Sequence, residues 1–287
     1  MSYQSVFKAD LFKGQTIVVT GGGSGIGRCT AHELASLGAK VIITGRKQEK
    51  LDKVLAEIKE DGGIAVSYAF DIRDEDVVKA NVKQMLADHG AIDALVNNAG
   101  GQFPSPLFAI SKKGWDAVVT NNLTGGFLMA RELYTQCMKK NGGSIVNMLA
   151  DMWGGMPGMG HSGAARAGML NFTETAAVEW AVSGVRVNAV APGWVASSGM
   201  DQYDPVFAKE VIPKLKGSVP LKRMAEEAEV SAAIVFLLTP GAAFISGACI
   251  NIDGAASRNW RVFPLQDHNK SKPFTGFHRA VKPKAVG

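Results

Sequence analysis

Apolar, β-branched runs alternate with helical patterns along almost the whole chain. The runs predict strands over Thr16–Thr20, Lys40–Thr44, Ile64–Ala69, Ala94–Asn97, Ser144–Met148, Arg186–Ala191 and Ala248–Ile252. Apolar residues at helical spacing predict helices over Gly25–Leu37, Lys47–Glu60, Asp74–His89, Ser111–Asn121, Thr124–Lys140, Ser162–Ser183 and Glu226–Leu238. Near-continuous apolar strands separated by helices indicate a parallel sheet covered on both faces. We therefore predict an α/β fold with a doubly wound, seven-stranded parallel sheet and ligands at the carboxyl ends of its strands.

A glycine-dense turn, Thr20–Gly27, lies between the first predicted strand and the first predicted helix. Gly21 allows a turn that a side chain would block, Gly25 lets the backbone approach a pyrophosphate, and Gly27 lets the helix pack close to the strand. The free N–H groups and the positive dipole end of the helix face the same anion. The order of strand, glycine turn and helix therefore predicts a dinucleotide-binding site.

The residues after the second predicted strand favour NADP(H) over NAD(H). An NAD site usually has an acidic residue here to accept the ribose hydroxyls, whereas this chain has Arg46 and Lys47. A guanidinium binds a 2′-phosphate with two charge-assisted hydrogen bonds. Ser24 offers a hydroxyl to the same phosphate region. The alternative is that Arg46 and Lys47 are only the solvated start of the next helix. That interpretation does not explain why the acidic residue of an NAD site is absent.

Length and composition indicate one large domain, which we place at residues 1–257. The chain has 287 residues, of which 46% are hydrophobic, and no apolar run approaches the roughly 20 residues that span a bilayer. The longest stretch between elements, residues 194–221, is predicted to be a substrate loop. The three cysteines form no C-x-x-C pair and the histidines show no ligand spacing, so we expect no metal site. The N-terminus lacks the order of a signal peptide, and together these features predict a cytoplasmic protein.

The net charge of +5 is concentrated in a basic C-terminal tail, residues 258–287. This tail contains seven Arg and Lys residues and a single acidic residue, Asp267, so its net charge is +6. The net charge of the other 257 residues is −1. Two interpretations stay open: a solvated or subunit-wrapping tail, or a contribution to binding a polyanionic ligand. Nucleic acid is not an expected partner, because the basic residues are diffuse and no binding motif occurs.

Several motifs in the right order resemble the short-chain dehydrogenase/reductase family over residues 12–255. They are the glycine turn, Asp71-Ile72, Asn97-Asn98-Ala99-Gly100 and Pro192-Gly193. The resemblance implies a single Rossmann domain, commonly in a homotetramer. It further implies that the cofactor contacts the following residues: Gly21, Ser24, Gly25, Ile26, Gly27, Arg46, Lys47, Asp71, Ile72, Asn98, Ala99, Gly100, Arg166, Pro192 and Gly193.

The stretch that matches the family's catalytic motif departs from it. Most members carry a Ser and, about 13 residues later, Tyr-x-x-x-Lys on a helix. Tyr protonates a carbonyl oxygen, Lys lowers the pKa of Tyr, and Ser stabilises the oxyanion. Here the three matching residues are Ala150, Ser162 and Arg166. A serine hydroxyl is a weak acid and Arg stays protonated, so we expect a poor ketone or alcohol enzyme.

Two branches of the family also lack the Tyr, namely 2,4-dienoyl-CoA reductase and peroxisomal trans-2-enoyl-CoA reductase. The second resembles this chain through Gly100-Gly101-Gln102-Phe103 and through residues 161–168, His-Ser-Gly-Ala-Ala-Arg-Ala-Gly. The resemblance implies NADPH-dependent reduction of the C=C bond of a 2-enoyl-CoA or 2,4-dienoyl-CoA. Ser162 would donate to the enolate oxygen, Arg166 would hold the nicotinamide ribose, and Asn122 matches the family Asn.

The residue that protonates the α-carbon stays open. Asp151 stands where the dienoyl branch has a Tyr, and a carboxyl group in such a pocket can have a raised pKa. Its alternative role is to brace the turn before Trp153. Leu170 occupies the place of another family Tyr, but its side chain has no acidic proton to donate. Tyr203 in the substrate loop is a weaker candidate. Other hypotheses are a reductase of another carbonyl or conjugated substrate, and a non-catalytic NADP-binding subunit.

Overall fold

The computed structural model describes residues 2–259 and 264–286. Its main sheet is parallel and has seven strands in the order β3-β2-β1-β4-β5-β6-β9. The strands are β1 (Thr16–Thr20), β2 (Lys40–Gly45), β3 (Ile64–Ala69), β4 (Ala94–Asn97), β5 (Gly143–Met148), β6 (Val185–Pro192) and β9 (Cys249–Ile252). The predicted doubly wound α/β fold is thus confirmed. Arg261, one of the basic tail residues, lies outside the described residues.

Helices cover both faces of this sheet. They are α1 (Gly25–Ser36), α2 (Gln48–Glu60), α3 (Glu75–His89), α4 (Lys112–Val119), α5 (Gly125–Leu133), α6 (Lys139–Asn141), α7 (Gly160–Glu179), α8 (Pro205–Glu210) and α9 (Glu227–Leu238). One core packs α1, α2 and α9 on one face, and a second packs α3, α5 and α7 on the other. Every residue of the inner strand β1 is buried, which explains its unbroken run of apolar and Thr residues. In the described residues no helix is long and apolar enough to cross a membrane.

The helical region from residue 112 to 141 differs from the predicted pair of helices. It is continuous, because π-helical turns at Thr120–Thr124 and Tyr134–Met138 connect α4, α5 and α6. The predicted break near residue 122 is therefore a widened turn, not a loop. Such π-turns are frequent at functional sites, and this one contains Asn122.

The predicted substrate loop at residues 194–221 is structured. It contains β7 (Val195–Ala196), a 3-10 helix over Ser198–Gln202, α8, and a 3-10 helix over Ile212–Ser218. The strand β7 pairs with β8 (Ala225–Glu226) in a separate two-stranded sheet. These elements could not be predicted from the sequence, because they are interrupted by proline and polar residues and none is long enough to show a hydrophobic periodicity.

The described tail residues pack against their own chain. Phe277 is 3% exposed and lies under the Arg28 guanidinium. Arg279 donates to both carboxylate oxygens of Asp61 at 3.0 and 2.7 Å. Further on, the Lys284 N–H donates to Asp201 in the substrate loop. The tail thus connects the α1–α2 face to the substrate loop.

Candidate active site

A cleft of about 770 Å³ opens at the carboxyl ends of the central strands. Residues that follow β1, β2, β4, β5 and β6 line it, as expected for an open α/β sheet. Most of the site residues that were predicted from the sequence line this cleft, namely Gly21, Ser24, Ile26, Arg46, Lys47, Asp71, Ile72, Asn98, Ala99, Gly100, Asp151, Arg166, Pro192, Gly193 and Tyr203. Gly25, Gly27, Asn122 and Ser162 do not line it.

The glycine turn leaves the N-terminus of α1 ready for an anion. Gly21 and Gly25 have positive φ angles of 67° and 57°, a conformation that disfavours other residues. No side chain caps α1 and its first turn holds no acidic residue. A Cβ on Gly27 would lie 2.4 Å from the Gly21 carbonyl oxygen, so the absence of a side chain lets helix and turn touch. Uncapped N–H groups at a bare helix end fit a pyrophosphate.

Positive charge dominates the end of the cleft beside β2. Arg46, Lys47 and Lys50 line it. Asp71 also lies there, but Arg73 holds its carboxylate in a bidentate pair at 2.5 and 2.9 Å and keeps its pKa below the ordinary value. The site therefore offers donors and no unpaired carboxylate in this part of the lining, which fits a phosphorylated ribose.

Arg166 places a buried cation in the wall of the cleft. Its Nη1 donates to the Met148 carbonyl at 2.6 Å, and its Nη2 lies 3.5 Å from Asn122 Oδ1. Burial lowers its pKa from 12.5 to about 10, so it stays protonated at neutral pH. Its Nε has no hydrogen-bond partner, and in the described chain it forms no ion pair. A Cβ on Gly100 would lie 2.5 Å from Nη2, so this glycine makes room for the guanidinium.

Asn122 fixes the loop after β4 instead of facing the cleft. Its Oδ1 accepts from the Gly101 N–H at 2.8 Å, and its Nδ2 donates to the Gly101 carbonyl at 2.9 Å. Asn98, on the same loop, donates to the Thr20 carbonyl at 2.9 Å. The loop is thereby tied to both the π-turn and the glycine turn. The Asn122 side chain therefore contacts this loop and does not line the cleft.

Ser162 also lies behind the lining. Its side chain is 0% exposed, and its Oγ donates to Gln102 Oε1 at 2.5 Å. Its N–H lies 3.0 Å from His161 Nδ1, and that ring stacks edge-on against Phe103 at 4.5 Å. The Ser162 hydroxyl proton is directed to Gln102 in this structure, and the hydrogen bond from Ser162 to a substrate oxygen stays a prediction.

Asp151 is half-buried in the lining of the cleft. Its N–H donates to the Pro192 carbonyl at 2.8 Å, which ties the loops after β5 and β6 together. Burial and, secondly, the charge of Asp253 raise its pKa, although a hydrogen bond from the Trp153 backbone opposes the shift. The protonated form therefore persists to higher pH than in an ordinary Asp.

Gln102 lies in the site, although no sequence motif singles it out as a functional residue. It lines the cleft and connects Ser162 to Tyr203, since its Nε2 donates to the Tyr203 Oη at 3.4 Å. The only sequence signal was its place in the family-like run at residues 100–103. Ala150 lines the cleft where the family pattern has Ser, and Leu170 packs in an apolar cluster. In the described residues no group of three His, Cys, Asp or Glu could hold a metal.

Comparison with known proteins places this chain in a family. Residues 20–256 match the family model described as enoyl-(acyl carrier protein) reductase. A probable 2,4-dienoyl-CoA reductase of Bacillus subtilis is 36% identical over 244 residues, 84% of this chain and 95% of the relative. A 3-oxoacyl-[acyl-carrier-protein] reductase of Synechocystis is 38% identical over 84% of this chain and 96% of its own length.

A solved structure is more similar still. The citronellol catabolism dehydrogenase AtuB of Pseudomonas aeruginosa is 63% identical, with a TM-score of 0.81, and the match covers 89% of this chain and all of that one. Fold and comparisons together define an oxidoreductase that uses a nicotinamide nucleotide. The chain belongs to the short-chain dehydrogenase/reductase family, as its motifs predicted.

Proposed function

We propose that this protein is an NADPH-dependent reductase of the C=C bond of a 2-enoyl-CoA or 2,4-dienoyl-CoA. The observation that carries the proposal is the replacement of the proton donor at the buried Ser162–Arg166 face of α7. Ser162 is enclosed and bonded to Gln102, and Arg166 holds its proton. Reduction of a ketone needs a proton on oxygen, whereas reduction of a conjugated C=C bond only needs that oxygen stabilised while charge passes through it.

NADPH is the proposed cofactor. Arg46 and Lys47 would hold the 2′-phosphate, and the bare end of α1, with Ser24, Gly25 and Ile26, would hold the pyrophosphate. When bound, the reduced nicotinamide supplies a hydride. Asp71, Ile72, Asn98, Ala99 and Gly100 would flank the nucleotide, and Pro192 and Gly193 would lie near the nicotinamide.

Arg166 would orient the ribose and maintain a positive field over the reacting atoms. A permanent cation in a desolvated wall stabilises negative charge on a thioester oxygen more strongly than the same cation would in water. Asn122 would support it by keeping Gly101 and the adjoining loop in place. Neither Arg166 nor Asn122 needs to gain or lose a proton in these roles.

Asp151 is the proposed acid for the α-carbon. Its raised pKa keeps a fraction protonated at higher pH, and it lies in the lining. Tyr203, also in the lining, is the second candidate. Exposed apolar side chains on the segments that follow β4 and β5 fit an acyl chain: Phe103, Leu107, Phe108 and Trp153. The name of AtuB, a citronellol catabolism dehydrogenase, adds branched substrates related to citronellol to those to be tried.

The test is NADPH oxidation with enoyl- and dienoyl-CoA thioesters of straight and branched chains. We expect turnover, and we expect Asp151→Asn to remove the descending limb that activity shows as pH rises. Asp253→Asn should shift this limb to lower pH, since it removes the repulsion that raises the Asp151 pKa. No turnover with any thioester would refute the proposal.

A second candidate function is reduction of another carbonyl or conjugated substrate. The relative named 3-oxoacyl-[acyl-carrier-protein] reductase favours it. Turnover of 3-oxoacyl or free carbonyl substrates without turnover of enoyl thioesters would decide for it. NADPH binding by calorimetry without turnover of any of these substrates would indicate a non-catalytic NADP-binding subunit.

We further infer a homotetramer. Large apolar side chains are exposed on α7, on α9 and on the segments that follow these two helices, and none of them lines the cleft: Val178, Val182, Phe236 and Phe244. Sedimentation velocity tests the assembly, and a monomer at micromolar concentration would contradict it. The cytoplasmic location stays a prediction, which cell fractionation tests.

A further inference from the structure

A buried acidic side chain lies beside the glycine turn, on the first turn of α9. Glu227 is the first residue of that helix and is 6% exposed. Its Oε1 lies 3.9 Å from the place that a Cβ on Gly25 would occupy, and the Ser197 Cβ lies 4.0 Å from the same place. Gly25 begins α1, and Ser197 lines the cleft. The Glu227 carboxyl group therefore lies at the N-terminus of α1, where the pyrophosphate is predicted to bind.

This carboxyl group has little positive charge to balance it. In the part of the chain that the structure describes, Glu227 forms no ion pair of its own. Arg28 faces it from α1, but the Arg28 Nε donates to Glu57 at 2.7 Å. The neighbouring charge of Glu226 repels the Glu227 carboxylate, and the Ser198 N–H donates a hydrogen bond to it. Glu227 thus depends on one shared cation and one backbone donor.

The other titratable groups around this position add no compensating charge. Burial raises the pKa of the Cys29 thiol on α1 well above its ordinary value, so the thiol stays neutral. Lys282 of the tail faces Glu226. Glu33, further along α1, accepts hydrogen bonds from Tyr3 and Ser231 and supplies no cation. The Glu227 carboxyl group is therefore open to the effect of any further charge that arrives at the end of α1.

Burial, which Arg28 only partly opposes, raises the pKa of Glu227 to about 7. Near neutral pH the side chain is therefore a mixture of the charged and the neutral form. The charged form would repel a pyrophosphate at the uncapped end of α1, because both are anions in a region that is partly shielded from water. The neutral carboxyl group avoids this repulsion, and its oxygen can still accept from the Ser198 N–H.

We propose that Glu227 makes the binding of the nicotinamide nucleotide proton-linked, because its carboxylate takes up a proton from solvent when a pyrophosphate occupies the N-terminus of α1. The only bond that forms in the protein is the O–H bond of this carboxyl group. Linkage is reciprocal, so the protein should bind the nucleotide more tightly as pH falls through neutrality and more weakly as pH rises. This role rests on the proposed nucleotide site and is independent of which substrate is reduced.

The experiment measures the binding of NADPH and of NADH by titration calorimetry between about pH 6 and 8.5. Repeating each titration in two buffers with different ionisation enthalpies gives the number of protons exchanged. Wild type should take up a proton from solution when NADH binds above neutral pH. NADH is the cleaner probe, because the 2′-phosphate of NADPH itself titrates near a pH of about 6.

Glu227→Gln tests the residue directly, because the amide keeps the shape of the side chain and is neutral at every pH. Relative to this variant, the wild-type Kd should rise by about tenfold over the same pH range, the effect of one neighbouring like charge on a carboxyl group. The ratio of the two Kd values also removes the titration of the 2′-phosphate, which is the same for both proteins. Glu227→Gln should lack the proton uptake that wild type shows with NADH.

Glu33→Gln is the matched control. Glu33 is also a buried carboxyl group between α1 and α9 with a raised pKa, but it does not line the cleft or contact the glycine turn. This variant should keep the proton uptake and the pH dependence of wild type. Loss of both in Glu33→Gln would show that any change in the packing of α1 on α9 has this effect, and would overturn the assignment to Glu227.

The two levels of inference fail separately. If neither nucleotide binds, the nucleotide site is refuted and the role of Glu227 with it. If the nucleotides bind but no thioester is reduced, the proposed reaction is refuted, and the role of Glu227 is decided by the binding data alone. If wild type takes up no proton with NADH, or if Glu227→Gln shows the same uptake and the same pH dependence as wild type, only the role of Glu227 is refuted.

Discussion

Arg166 stands where most of the family has Lys, and replacing it by Lys should reveal why. Burial lowers the pKa of Arg166 from 12.5 to about 10. A lysine starts from about 10.4, and a similar desolvation would bring its pKa to about 8. With no ion pair in the described chain to support the charge, Arg166→Lys would be mostly cationic near pH 7 and mostly neutral near pH 9. Arginine therefore keeps this buried site charged across the physiological range.

The measurements are the NADPH dissociation constant and kcat/KM between about pH 6.5 and 9, within the range where wild-type Arg166 keeps its charge. The cation is the protonated form, so function is lost as pH rises. In wild type, the ionisation of Arg166 should change the NADPH dissociation constant and kcat/KM little over this range. Arg166→Lys should weaken progressively above a pH of about 8. Arg166→Met, which carries no charge, should match the high-pH limit of Arg166→Lys throughout.

Arg186→Lys is the control variant. Burial also lowers the pKa of Arg186, but its guanidinium donates to the Ile245 carbonyl and does not line the cleft. Its pH profile should follow wild type. Parallel profiles for Arg166→Lys and wild type over the whole range would refute the view that this buried charge is what the site requires.

Three further predictions concern the cofactor and the fold. Arg46→Ala should raise the NADPH Kd by about tenfold, through loss of one exposed charge-assisted contact, and should leave the NADH Kd unchanged. Arg131→Ala is the control, because Arg131 pairs with Glu75 and Glu132 and does not line the cleft. Equal losses for both nucleotides in Arg46→Ala would contradict a 2′-phosphate site. Gly27→Ala should lower Tm by roughly 3–10 °C, because the added methyl group overpacks the contact between the helix and the glycine turn. Gly217→Ala is the control and should leave Tm unchanged, because there is open space around Gly217. Differential scanning calorimetry measures Tm for both variants. His32 is buried and its pKa is lowered to about 4, so folding favours the neutral ring and stability is lost as pH falls from the unfolded value of about 6.5. Urea denaturation should give a loss of about 2 kcal/mol between pH 7 and pH 5 that His32→Leu lacks, and an equal loss in that variant would contradict the assignment.

Much of the fold could be predicted from local pattern. The central strands are buried on both faces, so their sequences are nearly unbroken apolar runs, and β1 occupies the predicted Thr16–Thr20. The glycine turn could be predicted because its backbone conformation admits few other residues. The basic Arg46-Lys47 pair was visible because it replaces an acid at a fixed distance from that turn.

The sequence alone determined the sheet, the position of the cleft and the charge at its basic end, since each depends on neighbouring residues or on regular spacing. Only the tertiary structure decided that the Ser162 hydroxyl is used by Gln102, 60 residues away, and that Asn122 holds Gly101. It also decided that Arg279 of the tail pairs with Asp61, 218 residues away. Such contacts join single polar side chains across long stretches of chain. They have no periodicity, and they exist only after the apolar core has brought their elements together.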